Sequence, residues 1–355
     1  MAIYRIYPEK DSFIWSLAND AGKYGNAGLD EVVEIGGFPD SDGLGRTNRT
    51  LIQFRTKDIT AAFDDKITGL FSASLNLQLA EATNLPTSFT VEQFPVSQSW
   101  QQGIGKRDND PTNFSGCTWK YRNAERTDAW DNLGGDKYAI YSSTIVSSSQ
   151  VHDLTSDYDL NIDVTNAVDL ISSGSIPNNG FMLKIEDKHE ANTTSSINLK
   201  YFSSNTNTIF PPYLEFKWND TVYSSSLSEL TTDVATINIK NSKPQYIDSD
   251  IVRFRLSARP KYPTRTFSTS SVFLTEHKLP ADSFWGIKDE YSGEMIVDFD
   301  TTYTKISADD TSSYLDVYMD SLQPERFYRL LIKTTLNNST FVLDNKNIFK
   351  VVKHG

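Results

Sequence analysis

Short apolar runs that alternate with polar residues recur along almost the whole chain, and a period of two restricts it to β architecture. Leu75, Leu77 and Leu79 show the pattern most clearly. Ile3, Tyr4 and Ile6 open an N-terminal strand, and Ile52 and Phe54, Phe89 and Val91, and Leu160, Ile162 and Val164 follow. Phe181, Leu183 and Ile185, then Ile197, Leu199 and Tyr201, then Leu214, Phe216 and Trp218 complete the series. Alternation puts successive side chains on opposite faces of a strand, one toward a core and one toward water, so the sheets are expected to be mostly antiparallel. Stretches rich in Ala, Glu, Lys and Leu are missing, and a single helix is predicted over Thr165–Ser172, where Val168 and Ile171 fall at helical spacing and Gly174 can end it.

A chain of 355 residues exceeds what one core holds, so two domains are expected. Residues 1–218 read as a jelly-roll-like β-sandwich, 219–232 as a polar linker centred on Ser224-Ser225-Ser226, and 233–355 as an immunoglobulin-like or fibronectin-like β-sandwich. Strands of the second domain are expected around Ile237, Val252–Leu256, Ser271–Leu274, Met295–Phe299, Tyr314–Tyr318, Tyr328–Lys333 and Ile348–Val352. Leu322 and Pro324 before Tyr328 have the form of a tyrosine corner, in which the hydroxyl ties a strand to the preceding loop. Two segments, Ile35–Asn48 and Gln101–Ser149, lack strand periodicity and are expected as long loops, functional or packed over a sheet.

The net charge of −12 is spread along the chain, which argues against a nucleic-acid partner. No apolar run is long enough for membrane insertion, and the N-terminus lacks an export signal, so synthesis and folding in a cytoplasm are expected. The single cysteine, Cys117, excludes an internal disulfide and reads as a small buried hydrophobe.

No catalytic constellation emerges, and the chain reads as a non-enzyme. His152, His189, His277 and His354 have no metal-ligand spacing and are expected at the surface or in turns. Cys117 has no thiol-catalysis signature, and nucleophile-elbow, phosphate-loop and dinucleotide motifs are missing. The pairs Asp30 with Glu31 and Asp309 with Asp310 could ligate calcium or act as a glycosidase pair, but clustered Asp is more often turn chemistry. No cofactor is expected; a structural calcium in the first sandwich stays open. Trp119, Tyr121 and Trp130 in the second long loop, with Trp100 just before it, are candidate glycan or partner contacts, against the alternative that the indoles plug the sandwich.

Residues 3–217 also carry an ordered set of short motifs. Asn26-Ala27-Gly28, Glu34-Ile35-Gly36 and Arg49-Thr50-Leu51-Ile52-Gln53-Phe54 are followed by Ile59-Thr60 and Ala73-Ser74-Leu75-Asn76-Leu77-Gln78-Leu79. Ser99-Trp100-Gln101-Gln102-Gly103, Cys117-Thr118-Trp119, Trp130 and Gly134-Gly135-Asp136 come next, and Gly180-Phe181-Met182-Leu183-Lys184 and Pro212-Tyr213-Leu214-Glu215 close the set. In this order the region resembles the DNRLRE-type β-sandwich domains of bacterial surface proteins and phage virion proteins. Gln102 stands where that family usually has Glu, and Arg55 where Asp is common, so ligand chemistry does not transfer. Phe284–Asp289 and Met295–Tyr303 resemble virion proteins of marine tailed phages. The resemblance implies a structural protein of a tailed-phage virion, at the neck, collar, tail or baseplate, assembled in the host cytoplasm and docked to other virion proteins. A carbohydrate-binding module of a bacterial surface protein, with a host-surface glycan as ligand, is the alternative.

Overall fold

The computed structural model describes residues 2–16, 25–39, 45–109, 111–190, 196–263 and 275–354. The chain is all-β, with three short α-helices among the described residues. It divides into two compact units, one of Ile6–Lys66 and Ser72–Glu215, the other of Phe216–Gly355 with Met1–Arg5 and Ile67–Phe71.

Along residues 2–95 the chain runs β1 (Ala2–Ile6), β2 (Lys10–Trp15), β3 (Val32–Pro39), β4 (Gly45–Gln53), α1 (Thr56–Asp65), β5 (Phe71–Leu77), β6 (Leu79–Thr83) and β7 (Ser88–Pro95). A long irregular stretch then holds only the hairpin β8 (Ile140–Tyr141) and β9 (Thr144–Ile145) before β10 (Ser148–Asp153). β11 (Leu160–Asp163), α2 (Thr165–Ser172), β12 (Phe181–Ile185), α3 (Asp187–Glu190), β13 (Ile197–Phe202) and β14 (Tyr213–Trp218) follow. The principal sheet has the order β10-β7-β12-β4-β3-β13-β6, with β2 paired to β4. A second sheet pairs β11 with β5 antiparallel, Ile162 opposite Leu75.

The stretch 35–48, expected as a loop, instead supplies most of β3 and the first part of β4, with Gly36 opposite Asn48. Its glycines hide the alternation because they allow close backbone contact, not because they form a loop. The helix predicted over Thr165–Ser172 is present as α2.

Alternation explains how the sheet is used. In β13, Ile197, Leu199 and Tyr201 are buried while the residues between them are half-exposed. β12 departs from this, being buried at all five positions. Phe181, Leu183 and Ile185 serve one face; Met182 on the other face packs with Ile14, Leu51, Val96, Trp100, Cys117 and Trp130. The irregular stretch thus covers the second face of this sheet, and the covered face reads as continuous hydrophobicity.

The second unit contains β15 (Ala235–Lys240), β16 (Gln245–Ile247), β17 (Ile251–Pro260), β18 (Phe284–Asp289), β19 (Met295–Val297), β20 (Ser307–Ala308), β21 (Ser313–Tyr318), β22 (Phe327–Leu336), β23 (Ser339–Leu343) and β24 (Ile348–Val352). One sheet has the order β15-β17-β21-β20, the other β16-β24-β22-β18-β19 with β23 on β22, and β16 pairs parallel with β24. Both sheets contribute to one core that includes Phe254, Leu256, Trp285, Ile287, Tyr328 and Phe349. The strand expected at Ser271–Leu274 lies outside the described residues.

Residues 219–232, expected as a linker, are anchored in this unit. Leu230 is in its core, Tyr223 bridges Ala308, and the Tyr223 hydroxyl donates to the Leu279 carbonyl at 2.5 Å. The Ser-rich composition is used for hydrogen bonds, Ser225 donating to the Asp309 carbonyl and Ser226 to the Asp310 carboxylate. Leu322 is buried, Pro324 is exposed, and the buried Tyr328 donates its hydroxyl to the Gln323 carbonyl at 2.9 Å.

Candidate functional site

The irregular stretch 97–147 of the first unit gathers most of the side chains singled out from sequence. Its foundation is Asn26, fully buried, whose amide nitrogen donates to the carbonyls of Gln102 and Cys117 at 2.7 and 3.0 Å. Its amide oxygen accepts from the Gly28 and Gly105 N–H groups. Gln102 returns a bond to the Gly28 carbonyl at 2.6 Å. One side chain therefore uses its whole hydrogen-bonding capacity to join three chain segments that lie up to 91 residues apart.

The indoles then fix the stretch to the sheet. Trp100 and Trp130 are 4% and 3% exposed, and their N–H groups donate to the carbonyls of Asn179 and Thr118. Neither can offer a face to a sugar, so as glycan contacts these two are ruled out; they are plugs. Trp119 is half-buried, with the Arg49 guanidinium 4.9 Å from its ring centre, and Tyr121 is half-buried between Lys120 and Arg126. Only these two of the four aromatics keep accessible surface.

Gly134 shows how closely the cover fits. It has φ +83°, and a Cβ placed there would stand 2.6 Å from the Trp119 ring. Cys117 is fully buried, and burial pushes its thiol up to about 12. It packs as a hydrophobe and has negligible thiolate character near neutral pH.

Beside the cover lies a charged cluster that sequence spacing does not reveal. Arg49 on β4 makes a bidentate pair with Glu190 on α3, at 2.6 and 2.9 Å, and its remaining arm donates to the Gly134 carbonyl at 2.9 Å. Lys184 on β12, 1% exposed, reaches Asp187, Glu190 and Glu92 at 2.5, 3.2 and 3.3 Å. Burial works against its ammonium, but the three carboxylates outweigh burial and hold its pKa above the ordinary lysine value. Lys137 completes the group, its ammonium 3.8 Å from the centre of the Phe94 ring.

The remaining candidates are engaged internally. Asp30 accepts the Arg107 N–H at 2.8 Å, and burial raises its carboxyl; Glu31 lies 3.5 Å from Lys106. Asp309 binds Arg255 through both oxygens, at 3.0 and 2.8 Å, and this pairing holds its carboxyl far below the usual range. Among the described residues, no group of three or more His, Cys, Asp or Glu side chains is placed to hold a metal ion. No helix of the described residues is long and apolar enough to cross a membrane.

His152 is not the surface residue expected from sequence. It is buried on β10, stacked on Phe89 at 5.1 Å and near Tyr158 at 5.8 Å, because alternation turns this position inward.

Among the described residues the stretch exposes four large apolar side chains, Ile104, Leu133, Ile140 and Ile145. Ile140 and Ile145 stand opposite each other in the β8–β9 hairpin, each 62% exposed, and Leu133 is 59% exposed. Ser142 and Ser143 make the turn with φ of 44° and 69°, and Asn166 donates to the Ile145 carbonyl at 3.2 Å.

No family model matches the chain, and no curated protein matches it. Among solved structures it is similar to the adhesin domain of Epf from Streptococcus pyogenes, at 10% identity and a TM-score of 0.19, over 99% of both chains. It is also similar to a β-glucuronidase of Parabacteroides merdae, at 10% identity and a TM-score of 0.17, over 99% of this chain and 36% of the glucuronidase. At such TM-scores neither likeness informs fold or activity.

Proposed function

We propose that this chain is a non-enzymatic structural protein of a tailed-phage virion, at the neck, collar, tail or baseplate, and that it docks on other virion proteins through the surface of residues 97–147. The observation that carries the reading is the exposed Ile140–Ile145 pair on a hairpin tied down by Asn166. Solvent-facing apolar pairs on an anchored hairpin suit burial against a partner. The resemblance of residues 3–217 to DNRLRE-type domains supports a jelly-roll-like first sandwich and a place in a virion. For the second unit, the strand orders, the parallel β16–β24 pair and the Tyr328 hydroxyl bond support an immunoglobulin-like sandwich.

The test is incorporation. The double variant Ile140→Glu/Ile145→Glu is expected to keep the melting temperature of the unaltered chain and to be lost from assembled particles. Incorporation at the normal copy number would refute docking through this hairpin. Binding on a glycan array that is abolished by Trp119→Ala would favour the carbohydrate-binding reading instead.

A further inference from the structure

The second unit includes a strand that comes from the opposite end of the chain. Met1–Arg5 belong to it, and from Ile6 the chain passes into the first unit. β1 is the neighbour of β14, of which Phe216–Trp218 lie in the same unit. Both faces of this short strand are used. Ile3, 7% exposed, shares the core that includes Leu315, Val317 and Met319. Tyr4, on the opposite face, is stacked on Phe216 at 6.3 Å and meets Tyr318 edge-on at 5.9 Å. Two polar bonds fix the register: the Tyr4 hydroxyl donates to the Asp320 carboxylate and the Arg5 N–H to the Ser321 hydroxyl, both at 3.1 Å and across 316 residues. A slip of one residue would turn Ile3 out of the core and lose both bonds.

The receiving surface is held without β1. Asp320 and Ser321 sit on the short 3-10 turn Met319–Ser321; its Met319 is fully buried, donates its N–H to the Asp250 carbonyl at 3.0 Å and accepts the Leu322 N–H at 3.1 Å. On the other side, the Glu9 N–H is fixed to the Gln53 carbonyl at 2.8 Å, so β1 can leave while β2 stays in its sheet. From this geometry we propose that the second unit carries a strand-accepting groove, a peptide-binding site whose ligand is the extended segment Ala2–Ile6, and that this segment is a releasable latch. Extended backbone pairing supplies the affinity, and the places for alternate side chains, an aliphatic one at Ile3 and a phenol at Tyr4, supply the specificity. This inference is independent of the virion reading and would hold for either function.

The experiment uses the full chain and a synthetic peptide of residues 1–6. Deleting residues 2–5 is expected to lower the calorimetric transition of the second unit by roughly 10 °C and to leave that of the first unit in place. Excess peptide should restore the transition, and the same peptide carrying Tyr4→Asp should not. A second arm keeps the chain intact and weakens the latch by Ile3→Ala. Fluorescence polarisation should show labelled peptide binding this variant at least about tenfold more tightly than the unaltered chain, because a strand with a truncated core side chain competes less for the groove. A transition unmoved by the deletion, or not restored by the peptide, would overturn the groove. So would equal binding of the peptide to Ile3→Ala and the unaltered chain, and this arm alone decides if the shortened chain does not fold.

Discussion

Replacing Tyr328 with Phe removes a hydroxyl that is hydrogen-bonded within the second unit. Tyr328 is 1% exposed, its ring lies 5.9 Å from Phe349, and its hydroxyl donates to the Gln323 carbonyl at 2.9 Å. Phenylalanine keeps the ring in the core formed by Phe254, Trp285 and Phe349 and removes only the donor. A buried acceptor deprived of its partner costs about 1–3 kcal/mol. For a unit of this size, 1 kcal/mol moves the midpoint by roughly 3–4 °C. Scanning calorimetry of the full chain should therefore show the transition of the second unit lowered by about 3–12 °C, with that of the first unit unmoved. Leu330→Ala, at a neighbouring position that is also 1% exposed, calibrates the scale, since truncating a buried leucine costs about 2–5 kcal/mol. If Tyr328→Phe melts with the unaltered chain while Leu330→Ala falls, the hydroxyl bond does not contribute to stability and the corner argument fails.

Two further outcomes concern the first unit. Asp11 accepts from the Ser204 N–H and hydroxyl, yet burial dominates and raises its carboxyl to about 6, above the value of 3.8 in an unfolded chain. The folded state thus binds the extra proton between these values, and ionising Asp11 costs on the order of 3 kcal/mol at pH 7, a cost removed as the pH falls through 6 toward 4. In urea titrations, the stability difference between the unaltered chain and Asp11→Asn should shift in favour of the unaltered chain as the pH drops from 7 to 4.5; a difference independent of pH would refute the burial argument. Gly134→Ala meets both a left-handed backbone and the Trp119 ring, and should destabilise the first unit by about 1–3 kcal/mol, whereas an unchanged urea midpoint would show that the cover yields easily.

The β character of the chain was readable because strands such as β13 alternate cleanly, Ile197, Leu199 and Tyr201 inward. Where glycine replaces the alternating side chain, the signal fails. At Gly36 a Cβ would stand 2.0 Å from the Ile197 carbonyl, so the close approach of two strands requires the residue that makes β3 look like a loop. Helix α1 went unpredicted because its buried face amounts to Ile59 and Ala62. The indoles of the long stretch were legible as a group, but whether they faced water or the sheet depended on Met182, Ile14 and Leu51 from distant strands. The cluster of Arg49, Lys184 and Glu190 was beyond any spacing argument, since the Arg49–Glu190 pair closes a separation of 141 residues.

The proposed role makes this chain a component of an assembled particle. That role is tested most directly by quantitative mass spectrometry of phage particles banded on a density gradient from the source lysate. The account predicts this chain in the particle band at a fixed ratio to the portal and tail proteins, unchanged by a high-salt wash. Its recovery only in the soluble fraction, with none in intact particles, would contradict the claim.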